Sequence, residues 1–245
     1  NEKRNALREQ KVRNGHLKSL AAFSSRLHWH CHFIQKLETQ PSLEYQNMVR
    51  AFDGMREDDF DMKKFELWKN GKTGYPLVDA CMRALKEEGW LNFRMRAMVV
   101  SFASYNLWLD WKKTSKVLAG YFTDYEPGIH YNQIQMQSGV TGINTIRIYN
   151  PTKQLMDHDP KGTFVRKWCP ELNDVPDDFL AQPHMLPLAA QKKYNCIIGE
   201  DYPSISVELL QSSKFARDKI YAIKRLPNTR IQSLAAYELH GSRKK

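Results

Sequence analysis

The chain has 245 residues, of which 42% are hydrophobic and 11% aromatic, so it can bury a sizeable core as one large domain or two small ones. Its formal net charge of +10 favours a polyanionic partner, most simply a nucleic acid, although an anionic membrane surface or good solubility alone would also account for it. No apolar stretch approaches the ~20 residues of a membrane span, and the charged N-terminus has no signal-peptide core, which predicts a soluble, cytoplasmic protein without membrane contacts.

The predicted elements begin with a charged segment, residues 1–19, that suits an arm or a solvated helix. The fold proper is expected to start at residue 20, because apolar residues recur there at helical spacing. That stripe predicts a first helix, followed by an acidic link. It consists of Leu20, Phe23, Leu27, Cys31 and Ile34.

Two further helices are indicated by residues that favour helix ends. Pro76 suits the first turn of the second helix, and Gly89 suits its end. Asn92 is a good N-cap for a third helix, which is predicted to continue to Trp111 with an apolar stripe. Helical periodicity returns over residues 205–225, and no convincing alternating strand pattern occurs, so the fold class is predicted to be mainly α.

Neither the cysteines nor a cluster of histidines predicts a metal centre or a disulfide framework. The cysteines are widely spaced without a CxxC pair and are interpreted as buried thiols of an intracellular protein. His28 and His32 would share a helix face, but no carboxylate or cysteine motif completes a zinc ligand set beside them. The four cysteines are Cys31, Cys81, Cys169 and Cys196.

Arg94 and Arg96 stand in the first turn of the predicted third helix, which is the unfavourable end for cations. A cation there loses roughly 0.3–1 kcal/mol relative to an anion. A nearby carboxylate, from Asp124 or Glu126, or a bound phosphate would compensate. Alternatively, both arginines point into water.

Residues 72–111, "KTGYPLVDACMRALKEEGWLNFRMRAMVVSFASYNLWLDW", resemble the FAD-binding helical domain of the photolyase and cryptochrome family. The likeness continues through residues 124–139 and "RIYNPTKQLMDHDPKGTFVRKWCPEL". The resemblance implies a helical FAD-binding domain over residues 20–226, followed by a basic C-terminal tail at 227–245. The variant residues resemble a prokaryotic branch near the iron–sulfur photolyases, although the scattered cysteines do not suit an iron–sulfur centre.

The resemblance implies that the cofactor is FAD, held in a bent shape, and that several residues contact it. Arg96 is expected to pair with Asp124 beside the flavin ring, and Asp124, Tyr125 and Glu126 are expected to line the cofactor. His130 corresponds to the residue that faces the reactive flavin nitrogen, where photolyases commonly carry asparagine. The uncharged, amide-rich run that contains His130 suits a wall packed against a planar, hydrogen-bonding ring.

The same resemblance implies contacts with damaged DNA, in which an unstacked pyrimidine pair receives an electron from reduced flavin. Trp29 matches the tryptophan that stacks on the substrate. Arg26 replaces an acid of the family, Phe93 replaces an asparagine, and Met136 replaces a tryptophan against the lesion. The residues expected at the DNA are Arg26, Trp29, His30, Phe93, Arg94 and Met136.

Electron transfer to the flavin is expected to differ from the usual route through three tryptophans. Trp111 matches one member of that relay, whereas Asp58 and Ile134 stand at two tryptophan positions. A detour through Trp90, Trp108, Tyr125 or Tyr131 is an open alternative.

The N-terminal α/β antenna domain and the segment that cradles the flavin phosphates have no counterpart in this sequence. The chain is therefore expected to be a C-terminal fragment of a longer protein or a reduced member of the family. We predict a photolyase-like flavoprotein, a carbon–carbon lyase if it is active. The alternatives are a cryptochrome-like blue-light flavoprotein without repair activity and a basic nucleic-acid-binding module that has lost flavin.

Overall fold

The computed structural model describes residues 2, 5–6 and 16–241, and within them the fold is built from α-helices and short helical turns. Isolated pairing of Ile198 with Tyr202 is the only β-type contact in this part of the chain, which confirms the predicted mainly α class. Among the described helices, none combines the length and apolar character needed to cross a membrane. The helices are α1 (His16–Thr39), α2 (Met62–Lys69), α3 (Pro76–Glu88), α4 (Phe93–Ser101), α5 (Trp111–Tyr121), α6 (Pro127–Ser138), α7 (Pro151–His158), α8 (Thr163–Trp168), α9 (Asp177–Leu180), α10 (Leu188–Lys193), α11 (Leu209–Arg225) and α12 (Pro227–His240).

The ends of α3 and the start of α4 follow the predicted end signals. Pro76 occupies the first turn of α3, and Gly89 ends this helix with a left-handed φ of 70°. The side chain of Asn92 accepts a hydrogen bond from the backbone N–H of Met95 at 3.0 Å, so it caps α4. These two helices carry much of the buried core.

Helix α1 differs from its prediction because its apolar stripe is largely uncovered. Its described part, His16–Thr39, has no buried residue, and Phe23 and Leu27 are 63% and 50% exposed. Its C-terminal half packs against α6, where Gly128 approaches so closely that a Cβ would lie 2.7 Å from the Cα of Ile34. The expectation of buried thiols fails for Cys31 on this helix, although the other three cysteines are buried.

The third helix, α4, ends at Ser101 and does not continue to Trp111 as predicted. A π-helical turn, Phe102–Asn106, follows α4, and Trp108 then adopts a left-handed φ of 56° before α5 begins. Trp108 and Trp111 therefore do not share one helix. Bulky residues adopt a positive φ rarely, so contacts distant in sequence must hold this break in place.

Arg56 provides contacts of that kind from the segment between α1 and α2. Its Nε donates to the carbonyl of Ser104 at 2.9 Å, and its Nη2 donates to the carbonyl of Ser138, the last residue of α6, at 3.0 Å. The guanidinium also lies 4.5 Å from the ring centre of Trp108. Burial lowers the pKa of Arg56 to about 10, which leaves it charged at neutral pH.

The C-terminal segment expected to be a tail instead forms α12, which packs against α11 and the turn at Arg50–Phe52. Ala236 and His240 lie on its buried side. The side chain of Gln232 accepts a hydrogen bond from the backbone N–H of Ala51 at 2.9 Å. The buried residues of α12 are Thr229, Ala236 and His240, whereas large apolar side chains such as Ile231 and Leu234 are exposed.

Asp79 joins the loop before α3 to the C-terminal half of the fold. Its buried carboxylate accepts hydrogen bonds from the backbone N–H groups of Thr73 and Gly74 and from the hydroxyl of Thr73. The hydroxyl of Tyr202 also donates to it, at 2.6 Å. Such a fully bonded buried carboxylate fixes the loop, since each lost partner would leave a polar group unpaired.

Candidate functional site

A cavity of about 340 Å³ opens between α4, α5 and α6, beside the connection from α3 to α4. Its surface is mainly apolar, with a few polar groups, which is the usual composition of a small-molecule site. The lining residues are Trp90, Leu91, Phe93, Arg96, Ala97, Val100, Leu118, Phe122, Ile129, His130, Gln133, Ile134 and Gln137.

Arg96 is the cationic side chain in this lining, and three contacts hold it. Its Nη2 donates to Asp124 Oδ2 at 2.8 Å, and its Nε donates to the carbonyl of Leu91 at 2.7 Å. The guanidinium carbon lies 4.1 Å from the ring centre of Phe122. The compensating carboxylate predicted for the first turn of α4 is thus Asp124.

His130 is buried in the wall formed by α6, with 8% of its surface exposed. Its Nε2 lies 2.9 Å from the backbone carbonyl of Ser115 on α5. Burial lowers the pKa of His130 to about 4, and the positive charge of Arg96 acts in the same direction. The ring is therefore neutral at pH 7.

Two tyrosine rings flank His130. The ring centres of Tyr125 and Tyr131 lie 5.1 Å and 5.2 Å from that of His130, both edge-on. The hydroxyl of Tyr125 lies 3.4 Å from that of Tyr131. These rings fix the orientation of the histidine, although neither tyrosine lines the cavity.

Glu126 has a role that differs from the sequence expectation, since its carboxylate serves a helix terminus. It accepts hydrogen bonds from the backbone N–H groups of Gly128 and Ile129 at 3.1 Å and 2.6 Å. This carboxylate is the N-cap of α6, where the helix dipole favours an anion. Asp124 reaches the site through Arg96, and neither carboxylate lines the cavity.

The residues expected at DNA do not all meet at this cavity. Phe93 stands in its lining with 64% of its surface exposed, and Arg94 next to it is exposed. Met136 lines a neighbouring, more polar cavity of about 290 Å³, which shares Gln137 with the first one. Arg26, Trp29 and His30 lie on exposed parts of α1 and line neither cavity.

Trp111, the expected electron-transfer residue, lies in the core outside the cavity lining. It is 1% exposed, and its Nε1 donates to Asn47 Oδ1 at 2.7 Å. Within the described residues, no group of three or more potential metal ligands comes together.

Gln133, Gln137 and Phe122 line the cavity, although the sequence analysis named none of them. His130, Ile134 and Gln137 follow one face of α6 at i, i+4 and i+7, and Gln133 lies beside them. This spacing puts the three side chains on one face because residues 127–138 form a single helix. Phe122 lies just beyond α5 and has no pattern of its own.

Residues 23–222 match the family model described as the FAD binding domain of DNA photolyase. The chain belongs to the photolyase and cryptochrome family. The matched region is the FAD-binding domain, so FAD is the cofactor of this fold, as the resemblance implied.

This chain is similar both to relatives named cryptochrome and to relatives named photolyase. Cryptochrome DASH of Synechocystis sp. is 38% identical over 182 residues, which covers 72% of this chain and 37% of the relative. Deoxyribodipyrimidine photo-lyase of Alkalihalophilus pseudofirmus is 36% identical over 155 residues, covering 62% and 32%. The chain thus spans about a third of the length of these curated relatives.

Solved photolyase and cryptochrome structures show the same fold. A bacterial class III photolyase from Agrobacterium tumefaciens superimposes with a TM-score of 0.77 at 28% identity, covering 91% of this chain and 46% of that one. The Synechocystis sp. cryptochrome gives a TM-score of 0.76 at 29% identity, covering 89% and 44%. Just under half of each of these chains therefore corresponds to the present one.

The cavity fits the ring system of FAD in size and chemistry. Pockets for small molecules commonly measure about 300–1,000 Å³, so 340 Å³ suits a planar ring and is small for a whole dinucleotide. Apolar side chains provide flat contact, while Arg96, Gln133, Gln137 and His130 offer hydrogen-bonding groups at the edge. A ring that needs both kinds of contact matches this arrangement.

Proposed function

We propose that this chain binds FAD with the flavin ring in the cavity between α4, α5 and α6, and that it supports light-driven electron transfer from reduced FAD to damaged pyrimidines in DNA. The observation that carries the proposal is the pairing of Arg96 with Asp124 beside a cavity whose wall holds the buried, neutral His130. The cofactor supplies the electron, and the protein binds, orients and shields it.

The protein's part in flavin binding rests on groups that are fixed before the ligand enters. Arg96 offers a donor whose position is set by Leu91, Phe122 and Asp124. Ile134 and Val100 give apolar contact and exclude water from the ring. Because these contacts already exist, the site spends little binding energy on ordering its side chains.

DNA binding is proposed for the surface that carries the exposed basic and aromatic residues. The net charge of +10 attracts a phosphate backbone, and Trp29 on α1, 42% exposed, offers a ring on which a base can stack. Arg26 and His30 on the same helix, and Arg94 on α4, are exposed and able to contact phosphates.

Electron supply to the flavin is proposed to involve Trp111 with an incomplete relay. Its buried indole is oriented by the bond to Asn47, whereas the cavity presents the aliphatic Ile134 at a position where a tryptophan would aid transfer. Photoreduction should consequently be slower than in relatives that have the full relay.

A second candidate is a blue-light flavoprotein without repair activity. The observation in its favour is that Arg26, Phe93 and Met136 replace the residues that the family resemblance places at the lesion. A repair assay on single-stranded and duplex DNA with pyrimidine dimers, under blue light, separates the two candidates. Repair supports the photolyase proposal, whereas flavin photochemistry without repair supports the second.

The third candidate, a basic nucleic-acid-binding module without flavin, is tested by reconstitution with FAD. The wild-type protein should gain a flavin absorption spectrum that remains after gel filtration. Arg96→Gln should lose it, because the donor and its pair with Asp124 are removed, while the matched variant Arg94→Gln should keep it. A protein that stays colourless with FAD but binds DNA in a salt-dependent manner would refute the flavin proposal.

A further inference from the structure

A further cavity of about 240 Å³ lies beside the connection from α3 to α4, and it shares Trp90 with the cavity between α4, α5 and α6. Drug-sized ligands commonly occupy about 300–1,000 Å³, so the smaller volume suits a single ring system. We call it the α7 cavity, because the last residue of α7 lines it. Its lining includes Glu88, Trp90, Asn92, His158, Asp159 and Phe164.

Trp90 gives the α7 cavity an aromatic surface that the protein itself leaves uncovered. More than half of this residue, 54%, is exposed, so packing within the chain does not account for the large side chain. Phe164 and Met95 add apolar contact in the same lining. An accessible indole face binds planar heterocycles by stacking, which is tolerant of the identity of the ring.

Two carboxylates in the same lining retain acceptor oxygens. Glu88 Oε1 accepts a hydrogen bond from Lys167 Nζ at 2.7 Å, which leaves Oε2. Asp159 Oδ2 accepts from the backbone N–H groups of Phe164 and Val165 at 3.1 Å and 3.0 Å, which leaves Oδ1. Within the described part of the chain, no donor reaches either remaining oxygen, so each can accept from a ligand.

The charge of the lining decides which part of a ligand enters. The chain as a whole carries +10, yet neither lysine nor arginine is among the described residues that line the α7 cavity. Glu88 and Asp159 therefore disfavour a phosphate group there and favour a ring edge that donates hydrogen bonds. Asn92 uses Oδ1 to cap α4, so its Nδ2 is left as a donor beside these acceptors.

We propose that the α7 cavity binds a nucleobase with an exocyclic amino group, which stacks on Trp90 and donates hydrogen bonds to Glu88 or Asp159. Cytosine, adenine and guanine carry such a group. Uracil and thymine carry a carbonyl oxygen where cytosine has its amino group, and an oxygen facing a carboxylate leaves two acceptors unpaired. This site is separate from flavin binding, because neither carboxylate lines the cavity between α4, α5 and α6.

The test titrates cytidine and uridine into the full chain and follows the indole N–H signal of Trp90 by NMR, assigned with Trp90→Phe. The two nucleosides share the sugar and differ in the ring by the amino or carbonyl group and the adjacent nitrogen. Cytidine should bind at least about tenfold more tightly, because only its amino group pairs with the carboxylates.

Two neighbouring glutamates provide a matched pair of variants. Glu88→Ala should weaken cytidine binding about tenfold and bring it close to that of uridine. Glu87→Ala removes the same group from the adjacent exposed residue of α3, which does not line the cavity, and should keep the wild-type affinity. Trp90→Leu should weaken the binding of both nucleosides at least about fivefold, since the stacking surface is lost.

A short oligodeoxycytidine distinguishes a base within a strand from a free nucleoside. Tighter binding than cytidine, with a gain that falls as salt is added, assigns the base to a nucleic acid strand, whereas equal affinity assigns it to a free nucleoside. Equal affinities for cytidine and uridine, no saturable binding of either, or an unchanged affinity in Glu88→Ala would each overturn the proposal. The flavin absorption spectrum of the same protein is an independent measurement, so these outcomes leave the proposed function standing.

Discussion

Acidification should destabilise the protein through His130, which is held neutral in the folded chain. Burial lowers its pKa from 6.5 to about 4, so the unfolded chain binds a proton more readily than the folded chain between these two values. Stability should therefore be fully present above pH 6.5 and fall as the pH decreases towards 4. pH 5 lies about 1.5 pH units below the unfolded-state pKa of 6.5, and protonation stabilises the unfolded state by about 1.36 kcal/mol for each of these units. The free energy of unfolding should therefore decrease by roughly 2 kcal/mol because of this one residue.

The assay compares urea unfolding at pH 7 and pH 5 for the wild type and for His130→Asn. The variant should lose about 2 kcal/mol less between the two pH values. His240 is also buried and has a pKa lowered to about 4, mainly by burial, so His240→Asn should give a separate reduction of similar size. His158→Asn should retain the wild-type difference. If His130→Asn lost as much stability on acidification as the wild type, the linkage argument would be wrong.

Three other substitutions test contacts in the fold and the site. Gly128→Ala places a Cβ 2.7 Å from the Cα of Ile34, so it should cost about 1–3 kcal/mol in urea unfolding and expose α1 to proteolysis; unchanged stability would contradict the close packing. Asp79→Ala should cost at least about 3 kcal/mol, because several buried donors lose their partner, whereas Tyr202→Phe should cost about 1 kcal/mol; equal losses would argue against a network. Asp124→Asn should change stability by less than about 1 kcal/mol, since this pair is partly exposed, yet it should weaken FAD binding; full retention of FAD would show that the pair does not position Arg96 for the ligand.

Sequence patterns located the helix ends well where a local signal fixed them. Gly89 supplies a left-handed residue at low cost and Asn92 supplies a side-chain cap, so both boundaries depend on neighbouring residues alone. The break at Trp108 has no such signal, because it depends on Arg56, about fifty positions earlier. Contacts between residues so distant in sequence leave no trace in a local pattern.

The sequence predicted the polar residues of the candidate site better than the apolar residues that line its cavity. The unfavourable position of Arg96 at a helix N-terminus indicated a nearby carboxylate or phosphate, and Asp124 provides the carboxylate. Glu126 carries the same charge but is used as an N-cap, which the residue type allows equally well. The apolar lining follows from how α4, α5 and α6 are placed against one another, and no single segment encodes that arrangement.

Arg56 also influences the width of the cavity, although it is not one of the lining residues. It donates hydrogen bonds both to the chain just after α4 and to the last residue of α6, two helices that line the cavity. The side-chain oxygens of Ser104 and Ser138, 2.8 Å apart, close the same junction. These contacts join α4 and α6 at one end. The distance between the two helices is therefore fixed by the protein itself, before a ligand binds.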